Sequence, residues 1–168
     1  MTYIIETLKS SWLLLLCLIL ARFIGFPANF TPILACAIFL PFMTDNKFLQ
    51  ILLPVGIVII TDPFLGFYSS MPIVYLCIVA TSLITALFSD YNFKNMIFSG
   101  LIGVGIWHIV VNFSVWYTGL NGMTLMSTYL AAIPFDIRLL ASTIIFSSMF
   151  YFFQLSLTDK RNSKKIIN

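Results

Sequence analysis

Six long apolar runs, separated by short polar clusters, divide the chain. They cover residues 11–26, 31–43, 48–67, 72–89, 95–118 and 137–157. Continuous runs of this kind exclude the alternating apolar and polar positions of a membrane barrel. Open strands cannot satisfy their backbone in lipid, so the runs are predicted to be helices. The second run is short and is bracketed by Pro32 and Pro41. It is predicted to be a thinner or partly embedded helix packed on its neighbours. Between the last two runs lies "GMTLMSTYLAAIPF", an amphipathic piece predicted to form a brief interfacial helix.

The stretch "IITDPFLGFYSSMP" reads as the turn between the third and fourth helices. There Pro63 and Gly66 are expected to end one helix and Pro72 to start the next. No soluble linker, repeat or low-complexity tract interrupts the pattern. The expected organisation is one transmembrane domain over residues 1–158, followed by a basic cytoplasmic tail over 159–168.

Composition strengthens the membrane reading. The chain of 168 residues is 60% hydrophobic and 9% charged, against about 25% charged in soluble domains. Its length accommodates about six crossings of roughly 20 residues. The expected fold is therefore an all-α, six-helix transmembrane bundle with a short second helix and an interfacial helix before the sixth. The N-terminus looks superficially like a signal peptide, but its apolar core runs on from Trp12 into Ala21 without an A-x-A site, which predicts a retained first helix.

Charge then orients the bundle. With six crossings, Lys9, Lys47, Lys94, Lys160, Arg161, Lys164 and Lys165 fall on one side, and only Arg22 and Arg138 on the other. An excess of Lys and Arg marks the cytoplasmic side, so both termini are expected there. The basic tail suits anionic lipid head groups. No aromatic or basic companion accompanies it, so no nucleic-acid partner is expected.

Uncommon polar residues collect at the opposite, outer side. Arg22 and Asp62 lie near the outer ends of the first and third helices. Burying such groups in lipid is costly, so they pair or line a wet cavity, and both readings stand for them. Tyr68, Ser69 and Ser70 follow in the same loop. His108, Asn112 and Trp116 are spaced four apart and share one stripe of the fifth helix, with His108 near mid-membrane. Asp136 and Arg138 are expected to anchor the interface. Gly100, Gly103 and Gly105 are expected to allow close helix approach.

Catalytic and metal signatures are sparse. The chain has one histidine and no HExxH, GxSxG or phosphate-binding glycine loop, so no enzyme activity and no cofactor is expected. Cys17, Cys36 and Cys77 each sit in an apolar run without CxxC spacing and read as small buried hydrophobes. Cys77 and His108 are the internal candidates for a metal ligand.

Four stretches, "ANFTPILACAIF", "DPFLGFYSSMPIVY", "NFSVW" and "YLAAIPF", resemble in order and spacing a family of small, uncharacterised bacterial integral membrane proteins (DUF6580-like) for which a transport role is suggested. That family in turn looks like the substrate-binding S-components of energy-coupling-factor vitamin transporters. The resemblance implies a pocket open to the outside of the bacterial inner membrane. It also implies a separate transmembrane coupling subunit and ATPases as partners. Cys77 would correspond to a cobalt ligand if the solute were cobalamin-like.

Two positions depart from the S-component pattern. An Ala-xxx-Ala docking step is present only as Cys17-xxx-Ala21, and a Gly-Asp pair is replaced by Ala141-Ser142.

The resulting expectation is a membrane transport protein, the substrate-binding subunit for uptake of a small vitamin-like solute. Arg22 and Asp62 would fix the pocket floor, Asn29, Tyr68, Asn112 and Trp116 would touch the solute, and His108 would close the pocket at depth. The alternative is a non-transporting structural or assembly protein whose polar residues only join helices.

Overall fold

The computed structural model describes residues 16, 18–43, 46–88 and 92–167. Those residues form an all-α bundle: α1 (18–23), α2 (Ile33–Met43), α3 (Lys47–Leu65), α4 (Met71–Thr85), α5 (Phe93–Tyr117) and α6 (Leu125–Ile167). Residues 11–15 of the expected first helix, and Cys17 with its small-residue step, lie outside the described residues. Three helical stretches, Lys47–Leu65, Phe93–Tyr117 and Leu125–Phe153, are long and apolar enough to cross a membrane. Large apolar side chains such as Ile60, Phe64, Ile109 and Phe152 stand exposed on the helix exteriors. Such a surface suits lipid as the solvent.

Local chemistry sets the helix starts and stops. The Asn46 side chain accepts from the N–H groups of Phe48 and Leu49 at 3.0 and 3.3 Å and caps α3. Asn92 caps α5 in the same way, accepting from Asn95 N–H at 2.8 Å. Pro72 sits in the first turn of α4, where its missing N–H is no loss. Gly66 ends α3 with φ 106°, a backbone angle that a side chain would strain.

Two expectations about boundaries need correction. Pro63 does not end the third helix. It lies inside α3, with Asp62 in the last turn before the Gly66 cap, rather than in a loop. The interfacial helix and the sixth helix are also one element. α6 runs unbroken for 43 residues, through Pro134 and into the basic end of the chain. A proline removes one helix hydrogen bond but need not stop a helix whose neighbours pack on both sides of it. At 1.5 Å per residue α6 measures about 65 Å, roughly twice the hydrocarbon thickness of a bilayer.

The short α2 is the centre of the bundle. It packs on α3, α4, α5 and α6, and Leu34 through Leu40 are each at most 2% exposed. An apolar, unpatterned sequence (ILACAIFLPFM) fits a helix surrounded on all sides. Leu18 of α1 joins Cys36, Leu40 and Ile57 in one cluster, with Phe150 of α6 against it. Phe146 then meets Phe26 and Phe30 edge-on, closing α6 over the α1–α2 loop.

Small residues draw α5 in tightly. A Cβ on Gly103 would lie 2.8 Å from Thr81 Cγ2 of α4, and one on Gly100 3.3 Å from Thr143 Cγ2 of α6. Gly105, by contrast, faces open space, so the close-approach reading fails for that glycine.

Candidate functional site

A cavity of 630 Å³ occupies the end of the bundle where the α1–α2, α3–α4 and α5–α6 loops meet. This is the end opposite Asn46 and Asn92. Thr31 and Ile33, where α2 begins, contribute to its wall, so the positive end of that helix dipole is directed at the cavity. The remaining wall comes from all six helices. Trp107, Phe26, Phe30 and Phe135 give it aromatic character, while Asn29, Tyr68, Asn112, Asn121, Thr128 and Asp136 are its polar points beside Arg22. Small-molecule sites commonly fall in the range of roughly 300–1,000 Å³ with a mostly apolar lining and few polar groups.

Four of the expected site residues belong to this wall: Arg22, Asn29, Tyr68 and Asn112. Asn29 holds φ at 64° in the α1–α2 loop, a left-handed conformation that asparagine tolerates better than most residues. Tyr68 lies in the α3–α4 loop. Burial and the nearby Asp62 charge raise its pKa, against an opposing pull from Arg22, so its hydroxyl stays neutral at ordinary pH.

The other four do not line the cavity. Asp62 is 1% exposed and lies behind the wall, where one carboxylate oxygen pairs with Arg22 and the other accepts from Tyr75 Oη at 2.7 Å. Three helices, α1, α3 and α4, are joined by that cluster. Trp116 packs its ring on Phe113 at 5.5 Å and is no part of the wall. The face of α5 that does line the cavity carries Trp107, Val111 and Val115, with Asn112 at its edge. Each helical residue turns by about 100°, so the expected stripe of 108, 112 and 116 was one position out of register with this face.

His108 therefore points to α6 rather than into the cavity. Its Nδ1 donates to Asp136 Oδ2 at 2.7 Å, and its ring lies 5.2 Å from that of Tyr129. Cys77 is enclosed by the core beside Ala37, Val58 and Ile78, at 1% exposure, which denies its thiol a solute-ligand role. Among the described residues no group of three His, Cys, Asp or Glu side chains is placed to hold a metal.

Asp136 is the site residue that sequence reasoning put elsewhere. It was expected at the interface, yet it is 7% exposed and helps to wall the cavity. Its Oδ2 accepts from His108 and, at 3.2 Å, from Asn112 Nδ2, which also donates to the His108 carbonyl at 2.8 Å. Asn121 and Thr128 form a second polar pair in the wall, 2.9 Å apart. Arg138 keeps its expected exposed position, with its guanidinium 5.4 Å from the Phe135 ring.

Ser142 is fully buried on α6. It accepts from Thr31 N–H at 3.2 Å and donates to the Leu139 carbonyl at 2.9 Å, which fastens α6 to the loop under the cavity.

The chain belongs to the family of unknown function DUF6580, whose model matches residues 5–165. No curated protein and no solved structure matches the chain, and none of these comparisons supports the expected likeness to S-components.

Proposed function

We propose that this protein is a membrane transport protein whose cavity binds a small vitamin-like solute, acting as the substrate-binding subunit for its uptake. The cavity carries the proposal: 630 Å³, walled by all six helices and lined by an apolar, aromatic surface with few polar points. Six helices crossing the bacterial inner membrane, with both termini cytoplasmic, would open that cavity to the exterior. The Lys and Arg partition supports this orientation. Without a nucleotide-binding loop in its sequence, the chain would depend on a coupling subunit and ATPases for energy.

The test is what accompanies the purified protein. Native mass spectrometry should find a bound small molecule, and one or more members of a vitamin panel should raise the melting temperature. Purified protein with no bound molecule, and no shift across the panel, would overturn the proposal.

A second reading, a structural or assembly protein, is favoured by one observation. The Arg22–Asp62–Tyr75 cluster joins three helices, and Asp62 itself does not reach the cavity. On that reading a tryptophan placed in the cavity at Val115 would leave the protein's cellular role intact. On the transport reading it would abolish uptake.

A further inference from the structure

Two buried polar atoms of cavity-wall residues, Asp136 Oδ1 and Arg22 Nε, have no partner among the described residues. Asp136 is 7% exposed, and its Oδ2 takes both available donors, His108 Nδ1 and Asn112 Nδ2. Its Oδ1 is buried and accepts no hydrogen bond. A carboxylate oxygen removed from water is normally held by donors, because the lost hydration is otherwise uncompensated. Nor does a fixed cation neutralise this wall. Among the described residues Arg22 is the one Lys or Arg in it, and its guanidinium is engaged by Asp62.

We infer that the cavity takes a flat nitrogenous solute that donates an N–H to Asp136, from an amine cation or from a heterocycle. The inference rests on the solute-site reading above and narrows its ligand to a chemical class. Trp107, Phe26 and Phe30 offer the faces against which a ring packs, and a cationic ring gains further over tryptophan. An acceptor elsewhere on the same molecule would meet Arg22 Nε, a buried donor without a partner, or the start of α2. A solute carrying acceptors alone would leave Asp136 Oδ1 bare. An anionic solute would also add a negative charge to the cavity that Asp136 already lines.

Two ring-matched pairs of probes test this: tryptamine against indole-3-propionate, and proflavine against acridine-9-carboxylate. Each is titrated onto the full chain in phosphatidylcholine nanodiscs, with empty discs as the blank. The cations should bind saturably, at least about tenfold more tightly than their anionic partners, as expected for a charge-assisted hydrogen bond. Asp136→Asn should remove that preference, whereas Lys47→Gln, an exposed charge at the other end of the bundle, should not. Val115→Trp should abolish binding of every probe by filling the cavity.

Equal or tighter binding of the anions overturns the inference while leaving the cavity a solute site. So does a cation preference that Asp136→Asn does not alter. Binding of none of the four probes overturns the solute-site reading together with it. Should Asp136→Asn fail to purify, the wild-type preference between cation and anion decides alone.

Discussion

Asp62 and Asp136 are both buried carboxylates in apolar helices, and the protein treats them in opposite ways. Asp62 is 1% exposed, and both of its oxygens are engaged, by Arg22 and by Tyr75. Asp136 is nearly as buried and belongs to the cavity wall, but one of its oxygens has no hydrogen-bond partner. A fully partnered carboxylate is expected to matter for stability and to be invisible to a ligand. A half-partnered one is expected to matter less for stability and more for binding. Burial alone does not separate the two, whereas the count of engaged oxygens does.

The largest effect expected from this contrast is at Asp62. Asp62→Ala leaves a nearly buried guanidinium without its counter-charge and should destabilise by about 3–5 kcal/mol in thermal or denaturant unfolding. The double variant Arg22→Leu/Asp62→Leu should recover most of that loss, since it removes both charges. Next in size is Tyr75→Phe, which deletes a hydrogen bond to a charged group and should cost about 1.5–3 kcal/mol.

Asp136→Asn should cost less, about 1 kcal/mol, because the amide oxygen still accepts from His108. If its unfolding loss matched that of Asp62→Ala, the contrast between the two carboxylates would collapse. The smallest effect is expected at Trp116. Trp116→Ala should leave probe binding unchanged, and any loss of affinity beyond about twofold would return Trp116 to the site.

The sequence was most legible where its message is physical length and hydropathy. The spans of α3, α4 and α5 were readable to within a few residues, since apolar runs bounded by Asn46, Gly66, Pro72 and Asn92 carry their own start and stop signals. The start of α6 was not legible in the same way. Starting the sixth helix at residue 137, after a separate interfacial piece, put Asp136 near the interface, although α6 begins at Leu125 and runs on through Pro134. With α6 drawn from Leu125, Asp136 becomes a carboxylate well inside an apolar helix and a natural partner for His108.

The site on α5 was legible to one residue. Spacing of four correctly grouped His108, Asn112 and Trp116 on a stripe, but spacing cannot tell which way a stripe faces. That depends on the neighbours. Gly103 against Thr81 and Gly100 against Thr143 fix the rotation of α5, and they turn Trp107 and Val111 to the cavity. The Arg22–Asp62 pair was legible as a pair because two opposite charges in apolar helices need one another. Its third member, Tyr75, gives no such signal in the sequence.

The burial of α2 has one more consequence. Its 11 residues rise about 16 Å, roughly half the hydrocarbon thickness of a bilayer. The axis of the bundle is thus filled by helix over only part of its height, and the solute-sized space stands above the point where α2 begins. Chain length in one element, rather than the size of the lining side chains, sets how deep the space reaches. Every residue added before Ile33 in helical register would raise the floor by about 1.5 Å, so a change in the 27–32 loop would alter the depth of the space on an unchanged scaffold.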